Sequence, residues 1–473
     1  MNSEIVNTIQ GLKTPKILIV GDLMLDHFTW GSVNRISPEA PTPILNFEEE
    51  TYQLGGAGFT ANVLTQLGAK VDLAAVSGDD YDRKIILKML NEQNIGSNGI
   101  IADKSRPTTR KQRLQARDTD LSSGMQQMMR MDFESKEPIG DNIENEVLKF
   151  IKEHGKNYDA IIASDYGKGV LTEEILKTIA EHKKTIPVFA DPKKGADLKL
   201  YKGFTAMKPN RFEAESYVGC KLTDKESIVE AGKKILELAN LDYTFISLDA
   251  DGLFYINKDG YQLFVPTRKK EVYDVAGAGD SVISTMALLA NLDLPPRYLM
   301  EVANTAAGIM ISQSQPKTIS REDIIYNIIL GDEVSRKLKS TDDVAAILNS
   351  SEYRNRKVYF TNGYFDNIRP AQIKFLEKLG TYEGIRIVAL NSDKSIKAAG
   401  HKPRLSQPDR LRLLQMFDCI DYIIIFDEQN CDEMLEKLKP DFFLKGKNYK
   451  DQKITEAATL DKIGCKIQFI SAD

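Results

Sequence analysis

The sequence of 473 residues has few of the residues that carry disulfide, metal-hydrolase or membrane chemistry. Its four cysteines form no C-x-x-C pair, so no disulfide framework is indicated and a reducing cytoplasm is the expected location. Its four histidines do not stand at metal-ligand spacing, which argues against a zinc hydrolase. The polar N-terminus and the lack of any apolar run of about 18 residues argue against export or membrane insertion.

Charge of either sign is nearly balanced. The 63 Lys and Arg residues against 68 Asp and Glu residues leave a formal charge of -5, so neither nucleic acid nor a membrane is an expected partner and any anion site must be local. The chain is longer than the roughly 250 to 300 residues at which single cores stop growing. We therefore expect two domains.

Short apolar, β-rich runs alternate with amphipathic helical stretches over most of the chain. Examples are KILIVGD (16–22), VDLAAVSG (71–78), DAIIASD (159–165), IPVFADP (186–192) and YTFISLD (243–249). This alternation predicts an α/β fold, with a parallel sheet covered by helices on both faces. Polar, β-branched stretches at 29–54 and 106–133 interrupt it and predict the strands of a small lid or dimer clasp.

Strand-like runs are missing between residues 331 and 356, where charged and polar residues dominate. We interpret 1–330 as one domain, 331–356 as a linker and 357–473 as a smaller, doubly wound α/β domain. Strands of this second domain are predicted at KVYFTNG, IRIVALNSD, DYIIIFDE and DFFLKG.

The motif with the clearest chemistry is DVAGAGD (274–280), which directly precedes an apolar helical run. Small residues at the start of a helix let backbone N–H groups converge on an anion, and the helix dipole favours negative charge there. Gly277, Ala278 and Gly279 are thus candidates to cradle a γ-phosphoryl group, with Asp280 as the base for the attacking hydroxyl. An ordinary glycine-rich turn with an aspartate in the first helical turn is the structural alternative.

Polar residues elsewhere support phosphoryl transfer. Asn210 and Glu213 in KPNRFE stand three residues apart on one face of a helical turn, where they could hold Mg²⁺ through water or simply begin a helix. Asp26 follows a predicted strand end in GDLMLD, where open α/β sheets bind ligands. It could contact sugar hydroxyls or act as an ordinary cap.

These motifs resemble those of the ribokinase-like PfkB carbohydrate kinases, over about residues 16–320. Within that group, this part of the sequence resembles more closely the kinase half of a two-domain family that joins a heptose 7-phosphate kinase to a heptose 1-phosphate adenylyltransferase. The motifs that carry the resemblance are GDLMLD (21–26), NRISPEAPTPIL (34–45), LGGA (54–57), QQMMRMDFE (126–134), SDYGKG (164–169), KPNRFE (208–213) and EVYDVAGAGD (271–280). The resemblance implies a ribokinase-like domain with a β lid and a homodimer through the lid strands. It also implies phosphorylation of the anomeric hydroxyl of D-glycero-D-manno-heptose 7-phosphate, with ATP as co-substrate and Mg²⁺ as cofactor.

The same resemblance implies roles for individual residues. Asp280 would be the base and Gly277 to Gly279 the anion hole, while Asn210 and Glu213 would organise Mg²⁺ and the nucleotide. Further residues of the nucleotide site would be Ser247, Gly252 and Asn304. Residues of the sugar-phosphate site would be Asp26, Gly55, Gly56, Asn62, Lys111, Arg113, Arg117, Arg130 and Asp165. The four basic residues of that set are candidates for the distal phosphate, or else solvated charges of the lid.

The kinase half departs from the family at three places. Phe59 takes the position of an asparagine that follows the paired glycines, and Asn62 stands three residues later. The loop 118–125 resembles an insertion in the lid, and Ala276 replaces the usual threonine. These changes bear on the sugar preference more than on the kinase chemistry.

Residues 357–473 resemble the adenylyltransferase half, in the cytidylyltransferase-like superfamily, through FTNGYFD (360–366), QPDRLRLL (407–414) and FLKGKNY (443–449). The family stabilises the triphosphate with the histidines of an H-x-G-H turn, but residues 369–372 read RPAQ here. The family's K-G-G-D-Y has become KGKNY at 445–449. The corresponding site residues are Asn362, Gly363, Phe365, Asp366, Arg369, Gln372, Lys445 and Gly446.

We interpret this second domain as a transferase remnant that serves in assembly, stability or ligand sensing. Two alternatives stay open. The chain could retain both activities, or both domains could bind sugar phosphate or nucleotide without turnover. Asp280 and its neighbouring glycines argue against the latter, because a pure sensor needs no base beside an anion hole.

Overall fold

The computed structural model describes residues 2–117, 125–267, 274–292, 294–313, 318–330, 337–428, 430–452 and 454–471. The chain divides into two compact units, one of Asn7–Arg321 and one that combines Met1–Val6 with Glu322–Asp473. Helix α1 spans Asn2–Gln10. Within the described ranges, no helix is both long enough and apolar enough to cross a membrane.

The unit Asn7–Arg321 contains thirteen strands and eight helices among its described residues. The strands are β1 (Lys16–Gly21), β2 (Leu23–Ile36), β3 (Pro43–Gly56), β4 (Lys70–Ser77), β5 (Gly96–Ala102), β6 (Arg110–Arg117), β7 (Met125–Phe133), β8 (Ala160–Ser164), β9 (Val188–Asp191), β10 (Ala206–Met207), β11 (Tyr243–Ser247), β12 (Leu253–Asn257) and β13 (Gln262–Val265). The helices are α2 (Ala57–Gln66), α3 (Tyr81–Glu92), α4 (Asp141–His154), α5 (Glu173–Glu181), α6 (Arg211–Val218), α7 (Lys225–Ala239), α8 (Ala278–Leu289) and α9 (Pro296–Ile311).

Nine of these strands form one sheet in the order β13-β12-β11-β10-β9-β8-β1-β4-β5. Pairing is parallel from β5 to β11 and antiparallel at β12 and β13. The apolar run Ile17 to Val20 is completely buried, as expected for a strand covered on both faces. Gly21, Ser164 and Asp191 pair with one another in turn, so β1, β8 and β9 end level. The residues that follow these strands therefore meet at one edge of the sheet.

The helices cover the sheet with apolar stripes at helical spacing. Helix α7 begins at a capping box, in which Asp224 accepts a hydrogen bond from the backbone of Ser227. Its buried residues follow the i, i+3, i+4, i+7 pattern of an amphipathic helix: Ile228, Ala231, Gly232, Ile235, Leu236 and Ala239. Helix α8 packs between α2 and α9, and nine of its residues, Ser281 to Leu289, are buried.

A separate four-stranded sheet has the order β3-β2-β6-β7. Strand β2 is antiparallel to β3 and parallel to β6, and β6 is antiparallel to β7. This sheet is the predicted lid, although β2 begins at Leu23, earlier than the stretch 29–54 indicated. Only Asp22 separates it from β1 of the main sheet. The polar residues of the lid do not alternate with apolar ones as in a one-sided core sheet, because both faces are partly exposed.

The second unit contains a five-stranded parallel sheet. In chain order its elements are α10 (Arg321–Leu330), α11 (Thr341–Asn349), β14 (Val358–Gly363), α12 (Pro370–Gly380), β15 (Ile385–Asn391), α13 (Asp393–Ala398), α14 (Gln407–Gln415), β16 (Tyr422–Phe426), α15 (Asp432–Leu438), β17 (Phe442–Gly446), α16 (Ala457–Ile463) and β18 (Lys466–Ile470). The sheet order is β16-β15-β14-β17-β18, so the order reverses beside β14. Such a switch point opens a ligand crevice at the carboxyl ends of the strands. The predicted fold class, a parallel-sheet domain with a β lid and a smaller doubly wound unit, is confirmed.

The boundary between the units differs from the one that the sequence indicated. Helix α10, predicted to belong to the first domain, lies with the second unit apart from Arg321 itself. The hydroxyl of Tyr326 lies 2.9 Å from that of Tyr353, and the backbone N–H of Lys339 donates to Ile423 O at 3.0 Å. The described part of the stretch 331–356 is thus packed structure of the second unit, which its polar composition concealed.

One charged side chain lies at the centre of the second unit. Arg410 is completely buried on α14, where it donates to the carbonyl oxygens of Tyr364 and Asn391 at 2.7 and 2.8 Å. It also donates to the carboxylate of Asp393 at 2.6 Å. These contacts join the ends of β14 and β15 to α13 and α14, so a single guanidinium group connects the loops at the crevice.

We expect Arg410→Met to lower the free energy of unfolding of the second unit by roughly 3 kcal/mol, because the two carbonyl groups and Asp393 lose a buried cation. Urea unfolding, followed by hydrogen exchange in β14 and β15, measures this change. The control is Arg412→Met on the same helix, where the side chain is 80% exposed. Equal unfolding free energies for the two variants would contradict the assigned role of Arg410.

Candidate active sites

The glycine-rich loop of the first unit forms the N-terminus of α8. Gly277 precedes the helix with a φ of 82°, a left-handed conformation that favours glycine. A Cβ on Gly277 would lie 2.6 Å from the ring of Phe59, and a Cβ on Gly279 would lie 2.5 Å from Nζ of Lys208. The positive φ and the Phe59 ring favour glycine at position 277, whereas the close neighbour of Gly279 is the end of the Lys208 side chain. The arrangement aims the first N–H groups of α8 at any anion bound there.

Asp280 lies in the first turn of α8 and is only partly exposed. Its Oδ1 accepts hydrogen bonds from the hydroxyl of Thr60 at 2.7 Å and from that of Tyr166 at 3.0 Å. Asp280 lines a cavity of about 270 Å³ together with Asp165, Tyr166, Asp191, Pro192, Lys193, Lys194, Lys208, Glu213 and Gly279. The cavity brings the proposed base and the anion loop together with charged residues of both signs.

A buried ion pair lies beneath this loop. Nζ of Lys208 is 3.0 Å from Oδ1 of Asp191, and both side chains are largely buried. Burial raises the pKa of Asp191 to about 7, with Lys208 opposing the shift and the nearby carboxylates of Asp280 and Glu213 adding to it. Burial disfavours the ammonium of Lys208, but the same three carboxylates outweigh burial and raise its pKa. Lys208 therefore stays cationic beside the anion loop.

Asn210 and Glu213 form a capping box at the start of α6. The side-chain oxygen of Asn210 accepts from the backbone of Glu213 at 2.8 Å, and Glu213 Oε2 accepts from the backbone of Asn210 at 2.8 Å. Glu213 lines the cavity with Asp280, whereas Asn210 is not part of the lining. Within the described residues, no group of three acidic, histidine or cysteine side chains could hold a metal directly. A carboxylate at the cavity wall can hold Mg²⁺ through water. Glu213 meets this condition, whereas Asn210 does not line the cavity.

The predicted nucleotide residues Gly252 and Asn304 both contact the end of β13. Gly252 has a φ of 99°, and a Cβ there would lie 2.0 Å from Val265 O. The side-chain amide of Asn304 is buried and donates to Pro266 O at 2.9 Å. Ser247 ends β11 and pairs with Asn210 in an isolated bridge. Gly252 and Asn304 thus both contact residues 265–266 at the end of β13.

The predicted sugar residues Asp26, Gly55 and Gly56 lie together where the lid meets the main sheet. Asp26 forms an ion pair with Arg113, and a Cβ on Gly55 would lie 2.5 Å from Asp26 Oδ2. Gly56 precedes α2 with a φ of 56°. The structure does not bring Asn62 to this group: its oxygen accepts from Gln66 at 3.1 Å, one turn along α2. Thr60, two residues earlier, faces Asp280 instead, because positions two apart on a helix point to different sides.

Three of the four predicted distal-phosphate residues share one face of the lid. Lys111 pairs in register with Asp26, and Arg113 pairs with Arg130 across β6 and β7. Arg130 forms a two-pronged ion pair with Asp132, at 2.8 and 2.9 Å. The side chain of the fourth, Arg117, lies outside the described residues.

Lys168 joins these cations, and the sequence analysis gave it no role. Burial lowers the pKa of Lys111; Asp26 opposes this, while the charges of Lys168, Arg130 and Arg113 lower it further. Lys168 reaches the group from SDYGKG, and its Nζ lies 2.5 Å from Glu134 Oε2. We name Lys111, Arg113, Arg130 and Lys168 the cation cluster. Three of its members are paired with carboxylates, Arg113 with Asp26, Arg130 with Asp132 and Lys168 with Glu134.

Asp165, predicted to contact the substrate, is held by its own turn. Its carboxylate accepts from the hydroxyl of Tyr201 at 2.5 Å and from the backbone of Gly167 at 2.8 Å. The buried Asp22 accepts from the backbone N–H groups of Tyr166, Lys168 and Val170. Burial raises the pKa of Asp22, against these hydrogen bonds. The two aspartates therefore shape the turn that presents Tyr166 and Lys168.

Five residues at this site had no predicted role. Tyr166, Lys168, Asp191 and Lys208 stand in segments that the sequence analysis quoted, whereas Thr60 lies three residues after LGGA (54–57). The signal in the sequence was the tyrosine and the lysine of SDYGKG and the lysine of KPNRFE, whose polar groups could have been assigned to the site. Their partners lie far away in sequence: 220 residues separate Thr60 from Asp280.

The second unit has a larger cavity, of about 1110 Å³, at the carboxyl end of β14. All eight residues predicted for the transferase-like site line it: Asn362, Gly363, Phe365, Asp366, Arg369, Gln372, Lys445 and Gly446. The lining also includes the basic residues Arg404 and Lys447 and the aromatic residues Tyr364, Phe375 and Tyr449. The switch point of the sheet has thus produced a crevice with the chemistry for a phosphorylated ligand.

Side chains of this cavity are already engaged with one another. Lys445 donates to Asn362 Oδ1 at 2.7 Å, and Asn362 donates to the buried carboxylate of Glu456 at 3.4 Å. Burial lowers the pKa of Lys445, while the charge of Glu456 opposes that shift. The carboxylate of Glu456 therefore partly neutralises the positive charge of Lys445, which would otherwise be available to a phosphate.

The turn that replaces H-x-G-H begins helix α12. Gln372 accepts from the backbone N–H of Arg369 at 2.9 Å, so its side chain caps the helix. The guanidinium groups of Arg369 and Arg404 both lie beside the Asn367 amide, with nitrogen atoms 3.2 and 3.3 Å from it. The carboxylate of Asp366 accepts from the backbone of Arg404 at 2.7 Å. Two arginines thus converge where the family has histidines.

Comparison with known proteins matches both units. Residues 14–323 match the model of the pfkB family carbohydrate kinases, and residues 360–471 match the cytidylyltransferase-like model. The Bifunctional protein HldE of Geobacter metallireducens is 35% identical over 459 residues, which cover 96% of this chain and 92% of that protein. The Bifunctional protein HldE of Campylobacter curvus is 36% identical over 448 residues, 93% of each chain.

A solved structure of phosphofructokinase-2 from Escherichia coli in complex with potassium shares the fold of the first unit. Its TM-score is 0.56 at 16% identity, with coverage of 67% of this chain and 99% of that chain. The predicted resemblance to the PfkB kinases and to a cytidylyltransferase-like domain is confirmed. The chain is therefore a carbohydrate kinase of the pfkB family with a cytidylyltransferase-like second domain, and it belongs with the bifunctional HldE proteins.

Proposed function

We propose that the first unit transfers the γ-phosphoryl group of ATP to the anomeric hydroxyl of D-glycero-D-manno-heptose 7-phosphate. The product is the 1,7-bisphosphate, on the way to a nucleotide-activated heptose. The observation that carries the proposal is the cation cluster on the lid beside Asp26, because a second phosphate on the sugar needs several cations away from the anion loop. Arg113, Arg130 and Lys168 are each paired with one carboxylate, and a distal phosphate would add an anion that these cations can share.

In this proposal Asp280 takes the proton of the anomeric hydroxyl as the hydroxyl oxygen attacks the γ-phosphorus. The new O–P bond forms while the bond from phosphorus to the bridging oxygen breaks, and ADP leaves with that electron pair. The N–H groups at the start of α8 and the ammonium of Lys208 stabilise the added negative charge. Mg²⁺, bound through water near Glu213, would neutralise part of the phosphate charge.

Replacement of the proposed base tests this function. Asp280→Asn should lower kcat about 10²- to 10⁴-fold, because the amide accepts no proton, while ATP binding persists. Formation of bisphosphate and ADP, followed by ³¹P NMR, gives the rate, and calorimetry gives ATP binding. Asp259→Asn, at an exposed turn, is the matched control. Undiminished turnover in Asp280→Asn would show that another group is the base.

The cation cluster generates a second prediction. Lys168→Met should raise KM for heptose 7-phosphate roughly ten- to hundredfold and leave KM for ATP unchanged, because one charge-assisted contact to the distal phosphate is lost. Lys136→Met is the matched control, since Lys136 contacts the same Glu134 at 3.5 Å but is 73% exposed. A rise in KM for ATP instead would place Lys168 at the nucleotide.

For the second unit we propose a transferase-like domain that does not transfer. Gln372 is engaged in capping α12, and Glu456 introduces a buried carboxylate beside Lys445. Neither residue offers the cationic stabilisation that the missing histidines supply, a loss worth several kcal/mol at the transition state. The alternative is a fully bifunctional chain. It is supported by the large cavity, by Arg369 and Arg404 within it, and by the name Bifunctional protein of the relatives.

An assay with heptose 1-phosphate, Mg-ATP and pyrophosphatase separates these alternatives. We expect no ADP-heptose, because no histidine stabilises the triphosphate, while the same preparation phosphorylates heptose 7-phosphate as the internal control. The combined variant Arg369→His, Ala371→Gly and Gln372→His then asks whether the rest of the cavity still supports transfer. Synthesis of ADP-heptose by the unaltered chain would establish the bifunctional alternative.

We also propose a homodimer through the lid, as the resemblance implies. The strands at the two edges of this sheet, β3 and β7, carry exposed large apolar side chains. Phe47 is 64% exposed and Met129 is 56% exposed. A second copy of the chain would remove these side chains from water.

A further inference from the structure

Two hydroxyl groups converge on one oxygen of Asp280. The Thr60 hydroxyl lies 2.7 Å from Oδ1, and the Tyr166 hydroxyl lies 3.0 Å from the same atom. A carboxylate offers about four lone-pair positions, two on each oxygen, so these donors use the capacity of Oδ1. Oδ2 is the oxygen that stays available to a substrate hydroxyl.

Each hydroxyl is held so that it donates to the carboxylate. Thr60 is 1% exposed on α2, and its other acceptor, Gly56 O, is at 3.5 Å. The backbone of Tyr166 donates to the buried Asp22 at 2.8 Å, which fixes the tyrosine in its turn. Burial, with the charge of Asp280 adding to it, raises the pKa of Tyr166 well above its ordinary value. Its hydroxyl therefore keeps its proton at neutral pH.

The residue beside Thr60 supports the same loop. The ring of Phe59 lies against Gly277, where a Cβ would be 2.6 Å from the ring. Consecutive residues of α2 thus contact the anion loop and the base. The buried hydroxyl of Ser284 on α8 reaches Thr60 O at 3.5 Å, so α2 and α8 are joined on the far side of the base as well.

We propose that Thr60 and Tyr166 are positioning residues, which occupy Oδ1 of Asp280 so that Oδ2 takes the proton of the sugar hydroxyl. The inference rests on the proposed role of Asp280 as the base. Without the two donors the carboxylate turns between orientations, and a smaller share of bound substrate has a proton acceptor in line. Misplacement of a reacting group by about 1 Å costs on the order of 10²-fold in rate.

The test measures kcat and both KM values for Thr60→Val, Thr60→Ser and Tyr166→Phe. Thr60→Val keeps the shape and removes the hydroxyl, so kcat should fall about ten- to hundredfold with both KM values unchanged, and Thr60→Ser should recover most of it. Tyr166→Phe should lower kcat to a similar extent. The double variant should lose less than the product of the single losses, because both donors act on one atom.

Matched controls exist for both substitutions. Thr65→Val removes a hydroxyl of the same helix that donates to Ala61 O at 3.0 Å. Tyr158→Phe removes a buried tyrosine hydroxyl that donates to Asp72 at 3.1 Å, where β4 begins. Both controls should keep kcat within about twofold of the unaltered chain, as expected for hydrogen bonds away from the reacting atoms.

The results separate this inference from the proposed function. Kinetics are measured on whichever sugar phosphate the unaltered chain phosphorylates, so a preference for another sugar refutes only the heptose assignment. Full activity of Asp280→Asn refutes the base and the inference with it. Unchanged kcat in Thr60→Val and Tyr166→Phe, while Asp280→Asn is inactive, overturns the inference alone. A changed KM with unchanged kcat also overturns it, since the hydroxyls would then contact substrate. Should Thr60→Val not fold, Tyr166→Phe decides by the same criteria.

Discussion

The ion pair between Lys208 and Asp191 is the constraint on which the kinase site depends. Removing each charge from water costs several kcal/mol, and the attraction of the partner offsets that cost only at close range. Asp191 ends β9 and Lys208 follows β10, so these neighbouring strands must end level for the 3.0 Å contact to form. The ammonium then lies where a side chain on Gly279 would stand. This charge pair thus joins the ends of β9 and β10 and places an ammonium group beneath the anion loop.

Local parts of this arrangement could be predicted from the sequence, whereas the long-range parts could not. The loop before α8 and the capping pair Asn210 and Glu213 depend on residues within one helical turn, which motif spacing records. Contacts of Asp280 with Thr60 and Tyr166 depend on the order of nine strands, which no short pattern specifies. Asn62 was predicted at the sugar site, but its side chain contacts Gln66, whereas Thr60, two positions earlier on the same helix, contacts Asp280. Motif spacing alone did not tell which of the two faces the site. The domain boundary shows the same limit, since the polar composition of 331–356 did not reveal that its described part, from residue 337 on, packs against β16.

The two units treat positive charge in different ways. In the kinase unit Arg113, Arg130 and Lys168 are each paired with a carboxylate, and Lys111 adds a fourth cation beside them. In the second unit Arg410 is committed to carbonyl groups and Asp393, and the charge of Lys445 is met by Glu456. Arg369 and Arg404 instead share the amide of Asn367. In the second cavity the charge of Lys445 is thus opposed by a carboxylate, while the buried Arg410, outside the cavity lining, serves the fold.

The lid is joined to the main sheet at one end of its two long strands, β2 and β3. Strand β2 has 14 residues and starts one residue after β1, and β3 returns to Gly56, directly before α2. The two crossings touch, because the backbone N–H of Ala57 donates to Asp22 O at 3.0 Å. At about 3.3 Å per residue β2 is about 45 Å long, so a rotation of about 5° at the junction with β1 moves the far end of β2 by about 4 Å. Asp22 also accepts from the backbone of Tyr166, and Ala57 begins the helix that carries Thr60. A displacement of several ångströms at the tip of the lid therefore corresponds to a rotation of only a few degrees beside Asp280.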